Sequence, residues 1–273
     1  MELCDPLSSE LAGRSDRRQL LFDALRAAAI IGMLSVLVYT GGKELGYNWQ
    51  WYRVPRYLYT LSEGKLLAGP LLKGLVVTLK VSVVSLIFSS LLGLATAIAR
   101  LSGSFSARSI ARVYLESIRN TPLLVQLFFI YFVFSPMVDL SRFASAVLAL
   151  SLFEGAYASE IIRAGIIAVP KSQWEAAESI GLSRYRAYRH VILPQALRNM
   201  TPPLVSQAVS LIKDSALVST IAIYDLTMKG QEIIAETYLV FELWFTIAAM
   251  YLILTFSLSM ATRQLEKRMA RAN

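Results

Sequence analysis

The chain has 273 residues, 55% of them hydrophobic and only 17% charged, a balance that excludes an ordinary soluble domain and makes a membrane its natural solvent. Its net charge of +8 does not signal nucleic acid, because the basic residues flank apolar segments instead of gathering on one soluble face. A single cysteine, Cys4, excludes an intrachain disulfide and a cysteine metal cluster.

Residues 1–19 are polar and carry Arg14, Arg17 and Arg18, and an apolar run from Leu20 to Tyr39 follows, interrupted by Asp23 and Arg26. A cleaved signal peptide and an uncleaved signal-anchor helix both begin this way. The anchor is favoured, since the run approaches a full span and Tyr39-Thr40-Gly41-Gly42 is a poor small-x-small cleavage site. Residues 41–69 form a polar connection holding Tyr47, Trp49, Trp51, Tyr52, Tyr57 and Tyr59. Such aromatic density places part of it along the outer membrane surface.

A second span is expected from Pro70 to Ala99, with Lys73 and Lys80 early enough to snorkel toward headgroups. Beyond Arg100 comes a basic connection with Arg108, Arg112 and Arg119, then a third span from Pro122 to Met137. The fourth, Ala144 to Val169, contains Glu154, Glu160 and Arg163. Charges there are costly, so they should face protein or water, and Glu160 and Arg163 are spaced to pair on one helix face. Gly155, Ala158, Ser159, Ile162 and Gly165 make a mostly small stripe suited to close helix packing.

Between hydrophobic segments lies a polar stretch, 170–194, that reads as two short helices. Ser172 is an N-cap candidate, Glu175 three residues on completes a capping box, and Gly181 ends the first helix in a left-handed conformation. Ser183 offers a second N-cap, and Pro194 should stop or kink the second helix near Leu193. The fifth span runs from Pro203 to Ile223, entered through Arg198-Asn199-Met200-Thr201-Pro202-Pro203 and broken at Lys213-Asp214-Ser215. The sixth, Tyr238 to Met260, ends in a basic tail with Arg263, Lys267, Arg268 and Arg271. The expected fold is therefore all-α: a polytopic membrane protein with six transmembrane helices.

Segments 1–19, 99–119, 169–199 and 261–273 hold 16 Lys and Arg, against 6 in 41–69, 138–142 and 226–237. By the positive-inside rule both termini and the 170–194 stretch belong in the cytoplasm. No G-x-x-x-x-G-K-[ST] loop is present, so ATP is not bound by that mechanism. The only histidine, His190, reads as a surface or packing residue, and no His, Cys or Asp cluster has metal-ligand spacing. Two classes remain: a subunit driven by a separate ATPase, or a self-contained secondary transporter or channel with Glu154, Glu160, Arg163, Lys213 and Asp214 as its pathway. The second class predicts inverted repeats, and none is seen; the first predicts a polar cytoplasmic docking loop, which is present.

Glu175-Ala176-Ala177, Gly181, Val191, Leu193 and Pro194 resemble the EAA loop of ABC import permeases, with Val191 where that family prefers Ile. Arg119-Asn120-Thr121-Pro122-Leu123-Leu124-Val125-Gln126 resembles the RGTPLLVQ signature of the polar amino acid uptake permeases, with Asn120 in place of Gly, a residue that tolerates left-handed geometry. The stretch from Gly155 to Ile166 resembles their GAYxxEIxRxGI segment, and Ile212-Lys213-Asp214 their IKDTSL element, with Ala216 a departure. The resemblance covers residues 66–266. It implies a five-helix importer core at 70–266 with the coupling loop at 170–194, preceded at 1–69 by an added N-terminal helix and aromatic loop and followed by the tail 267–273. It further implies a bacterial inner-membrane permease subunit without enzymatic activity. ATP would be bound by a partner ATPase dimer docked on Glu175, Ala176, Ala177, Gly181, Leu193 and Pro194, the two alanines allowing close approach to its groove. A second permease, itself or a paralogue, and an external substrate-binding protein are the other implied partners. Transport of glutamate or aspartate is the expectation, from likeness to that subgroup and because a buried arginine or lysine suits a side-chain carboxylate; glutamine or a basic amino acid is the alternative.

Overall fold

The computed structural model describes residues 46–62 and 65–271, together with 22, 25, 26, 28–33, 36, 37 and 39–41. Cys4, Arg14, Arg17, Arg18 and Asp23 lie outside the described residues, as do the side chains of Lys267, Arg268 and Arg271. The chain divides into two compact units, 1–50 and 51–273. In the first, the described residues from 22 to 41 are helical and nearly all exposed, which suits an apolar anchor segment.

The second unit opens with short elements at the aromatic connection. One helical turn, Pro55–Leu58, leads into an antiparallel hairpin of β1 (Tyr59–Ser62) and β2 (Lys65–Ala68) in which Tyr59 pairs with Ala68. This hairpin is the one departure from an all-helical architecture among the described residues. The helices follow in order: α1 (Pro70–Leu101), α2 (Phe105–Arg119), α3 (Leu123–Val138), α4 (Arg142–Ile167), α5 (Lys171–Ser179), α6 (Arg184–Ile221), α7 (Leu226–Thr237) and α8 (Val240–Arg271). Four of these are long and apolar enough to cross a membrane, or five if α2 and α3, bent by 106° at their junction, are one broken span.

Two expectations are corrected. The basic connection after Arg100 is a helix, α2, capped by Ser104, whose hydroxyl accepts from the Ala107 N–H at 3.3 Å. The fifth span starts well before Pro203: Pro194, Pro202 and Pro203 all lie within the continuous path of α6. A π turn at Tyr188–Ile192 immediately precedes Pro194, so the ladder is already re-registered where that residue lacks its donor. Pro202 and Pro203 lack the N–H groups that would reach back to residues 198 and 199, both exposed and near the start of the span. The expected break after Lys213 is present, as a change from α to 3-10 geometry over Ser215–Ile221.

Close approach of α1 and α4 organises the bundle. A Cβ on Gly93 would stand 2.8 Å from the Ala158 Cβ and 3.1 Å from the Gly155 carbonyl oxygen, so only glycine fits. The small stripe of α4 serves a second neighbour as well, since a Cβ on Gly165 would lie 2.9 Å from the Met200 Cβ on α6. Buried hydroxyls join the same helices: Ser82 donates to Ser215 at 3.2 Å, and Ser151 donates to the Ser85 carbonyl at 3.3 Å. Val81, Leu127, Leu150 and Ile221 fill one apolar cluster, and Ala97, Ile162, Ile192 and Met200 another at the opposite end of the bundle.

Candidate functional site

Three polar constellations stand out against this apolar frame. The first is the 170–194 stretch. Its first helix, α5, begins two residues earlier than expected, with Pro170 in place of Ser172 as N-cap and no side-chain cap, so Ser172 and Glu175 form no capping box. The Pro170 carbonyl instead accepts from the Gln173 N–H at 3.0 Å. The C-terminus is as expected: Gly181 has φ +75°, Leu182 N–H reaches the Ala177 carbonyl at 3.1 Å, and Gly181 N–H reaches that of Glu178 at 2.9 Å. That is a Schellman closure, whose turning residue is disfavoured for any side chain with a Cβ. Ser183 stands at the second N-cap, although through backbone alone, its carbonyl accepting from Ala187 N–H at 2.9 Å.

The two faces of α5 differ. Ala177 is 2% exposed, and Trp174 packs on the cluster of Ala97, Ile162, Ile192 and Met200 while its ring meets Tyr188 at 6.2 Å. Gln195 donates to the Gln173 side chain at 3.2 Å, tying α5 to α6. Glu175, Ala176, Glu178, Ile180 and Gly181 face outward, Ile180 with 76% of its surface exposed. Ala177 therefore anchors the helix to its own chain, whereas Ala176 is the alanine left for a partner. Leu193 is half-buried and Pro194 exposed where α6 departs. His190 is exposed, its Nδ1 3.1 Å from the Arg186 carbonyl, as a surface residue should be.

The second constellation centres on Glu160. Its Oε1 lies 2.6 Å from Arg100 Nη1 and 3.0 Å from Arg119 Nη1, and its Oε2 lies 3.1 Å from Arg163 Nη2. The expected Glu160–Arg163 pair forms, and two more cations join it from the last turns of α1 and α2. Arg119 also lies 5.9 Å over the Tyr157 ring. Sequence spacing along one helix finds only Arg163; Arg100 and Arg119 are brought in by tertiary packing. The α2–α3 corner behind Arg119 is held by Gln126, whose amide donates to the Ile118 carbonyl at 2.7 Å and to the Thr121 hydroxyl at 2.8 Å. Asn120 has φ −96°, so this corner uses no left-handed residue, and its amide caps the Glu116 carbonyl at 2.7 Å.

The third constellation is inside the bundle. Glu154 is 1% exposed; the Gln207 amide donates to its Oε2, and Asp214 lies against it. Lys213 and Asp214, neighbours in the chain, serve different surroundings: Asp214 turns to Glu154, and Lys213 lines a groove between α6 and α8. Beside Glu154 is a cavity of about 80 Å³ lined by Ser89, Ser90, Glu154, Gln207, Ala158 and Leu204. Gln207, Ser89 and Ser90 were not identifiable from sequence, since uncharged polar residues in a span carry no pattern. No group of three or more acidic, His or Cys residues with metal-holding geometry occurs among the described residues.

A family model described as the binding-protein-dependent transport system inner membrane component matches residues 89–271. The L-cystine transport system permease protein TcyB of Bacillus subtilis (strain 168) is 44% identical over 200 residues, covering 72% of this chain and 86% of that protein. The glutamine transport system permease protein GlnP of Escherichia coli (strain K12) is 41% identical over 203 residues, covering 73% of this chain and 92% of its own. Among solved structures, an amino acid ABC transporter with histidines superposes with a TM-score of 0.69 at 38% identity, over 73% of this chain and 94% of that one.

Proposed function

Because the chain belongs to the inner membrane component family of binding-protein-dependent transport systems, a multi-pass permease subunit and not an enzyme, we propose that it forms the membrane pathway of an ATP-driven importer of polar amino acids. The observation that carries this reading is the two-faced α5 helix. One face, Glu175 and Ala176, is presented to a partner with Gly181 just beyond the helix end, and on the other Ala177 is buried and Trp174 packs on the cluster joining α1, α4 and α6. A push on the exposed face is thus transmitted to three spans at once. A separate ATPase dimer would bind the ATP and dock there, with Leu193 and Pro194 at the root of the same loop. Closure of the ATPases would rock α1, α4 and α6 as rigid elements, an alternating-access step. A second permease, this chain or a paralogue, and an external binding protein complete the assembly. The charge distribution supports cytoplasmic termini.

Glu154, Gln207, Ser89 and Ser90 are the groups proposed to meet substrate inside the bundle, with Asp214 behind them. Arg163, on which a preference for glutamate or aspartate partly rested, is engaged by Glu160. The named relatives are glutamine and cystine permeases, which supports a neutral polar substrate ahead of an acidic one. Co-purification of a Walker-type ATPase with the tagged chain, followed by uptake of labelled L-glutamine in competition with L-cystine, L-glutamate, L-aspartate and L-arginine, tests both levels. Recovery without an ATPase overturns the importer assignment. Competition by glutamate and aspartate but not by glutamine or cystine restores the acidic preference.

A further inference from the structure

Between α6 and α8 lies a groove of about 360 Å³ whose polar lining is Ser206, Ser210, Lys213, Ser259, Thr262 and Arg263. Ser206, Ser210 and Lys213 follow one another at i, i+4 and i+7, so they share a single face of α6. The hydroxyls of Ser259 and Thr262 are spent on the carbonyls of Thr255 and Leu258, at 2.8 and 2.9 Å. Ser206 and Ser210 donate to no protein acceptor among the described residues. Among the described residues no carboxylate lines the groove, because Asp214 turns away from it toward Glu154. Among the described residues Asp214 is the carboxylate that Lys213 feels, and it is shared with Glu154, so two cations and two free hydroxyl donors face the groove with less negative charge than they can meet, an arrangement suited to an anion.

Helix direction brings the two cations together. Side chains on a helix lean toward its N-terminus, and α6 and α8 are antiparallel neighbours, so Lys213 leans down α6 while Arg263 leans up α8. Both heads converge on the level of Ser210 and Ser259. Arg263 stands at the end of the apolar stretch Val240–Gln264, which puts this level one to two turns inside the bilayer boundary. The neighbouring surface of α8 is apolar and open, with Phe256, Leu258 and Met260 exposed, as an acyl chain alongside would require.

We propose that this groove holds the phosphate of an anionic glycerophospholipid of the inner leaflet, with Arg263 and Lys213 as its counter-ions and Ser206 and Ser210 as donors. The leaflet assignment rests on the cytoplasmic placement of the C-terminus proposed above. A basic pocket between spans on the cytoplasmic side is the setting in which such headgroups are retained, each cation contributing about a fivefold preference.

The full chain, extracted in mild detergent with whatever subunits accompany it, is analysed for bound lipid by native mass spectrometry. The wild type should retain phosphatidylglycerol and cardiolipin over phosphatidylethanolamine. Arg263→Gln and Lys213→Gln should each lower that preference about fivefold, and Arg263→Lys should keep part of it. Should Lys213→Gln fail to accumulate, Arg263→Gln, at an exposed position of α8, decides alone. Bound lipid in bulk membrane proportions, or variants that retain it as the wild type does, overturns the proposal. Displacement of phosphatidylglycerol from the wild type by L-glutamine or inorganic phosphate also overturns it, marking a site for a free anion. Labelling of Arg263→Cys by an impermeant reagent from the outside only would overturn the topology, a failure separate from the lipid ratio.

Discussion

Arg100 Nη1 stands 2.6 Å from Glu160 Oε1, joining the last turn of α1 to the C-terminal third of α4, and that carboxylate is shared with Arg119 and Arg163. One anion among three cations makes the four residues unequal. Removing a single arginine leaves Glu160 paired, whereas removing Glu160 leaves three like charges facing one another.

Glu160→Gln should therefore destabilise the chain more than Arg119→Gln, by about 1–3 kcal/mol against less than about 1 kcal/mol, the range being reduced because the cluster is partly solvated. Thermal unfolding of the purified variants checks the order. Equal midpoints would show that the cluster is held by packing and not by the shared carboxylate.

The contact of Gly93 with Ala158 gives a packing prediction that needs no charge. With 2.8 Å between an added Cβ and the Ala158 Cβ, Gly93→Ala should cost about 1–3 kcal/mol through overpacking. Ala158→Gly in the same chain should recover part of that loss, since it removes the nearest atom met while the Gly155 carbonyl oxygen stays 3.1 Å from the added Cβ. A double variant no more stable than Gly93→Ala would place the strain elsewhere.

How much of this was legible follows from the range of each signal. The apolar runs of α1, α4 and α8, the Gly181 turn and the Glu160–Arg163 pair are local, and sequence spacing finds them. The small stripe of α4 indicated close packing, but its two partners, Gly93 and Met200, lie far away in sequence. Helix α2 was hidden because its alternation of arginine with Phe105, Ile110 and Val113 looks like a polar loop when only apolar length is counted. Proline misled in α6, where a π turn absorbs Pro194. Likewise, nothing in the spacing of Glu175, Ala176 and Ala177 tells which alanine faces inward; that depends on where Trp174 docks.

Asp225 offers a pH test outside the spans. It caps α7, its Oδ1 accepting from Met228 N–H at 2.8 Å, and it is fully buried, with Tyr251 Oη 3.4 Å from its Oδ2. Burial raises its pKa from the ordinary 3.8 to about 6. A carboxyl whose folded value is raised adds stability that is complete below the unfolded value and lost as pH rises through the folded one. The wild type should therefore lose up to about 2 kcal/mol from this group between pH 4 and pH 7. Asp225→Asn should keep the cap and flatten that part of the profile, while Asp225→Ala should share the flat profile and lie about 1 kcal/mol below Asp225→Asn at every pH. Midpoints of thermal unfolding across that interval, compared among the three proteins, decide the point, and an unchanged slope in Asp225→Asn rules out this group.

Gly181 separates backbone strain from crowding. An added Cβ there would meet nothing within 4 Å, yet φ is +75°, so any penalty comes from the left-handed conformation itself. Gly181→Asn should be nearly silent, Gly181→Ala should cost about 1 kcal/mol, and β-branched Gly181→Val should cost more. The loop is exposed, so the strain should be relieved by opening the Leu182–Ala177 and Gly181–Glu178 hydrogen bonds and not by unfolding the spans. Membrane levels of Gly181→Val should then match the wild type, while ATP-dependent uptake is abolished, because Glu175 and Ala176 no longer sit at a fixed angle to the anchored face of α5. Parallel measurement of membrane abundance and of initial uptake rate tests this directly. Normal uptake by Gly181→Val would mean that the turn does not transmit the motion, and reduced abundance with proportionate uptake would mean that it acts in folding alone.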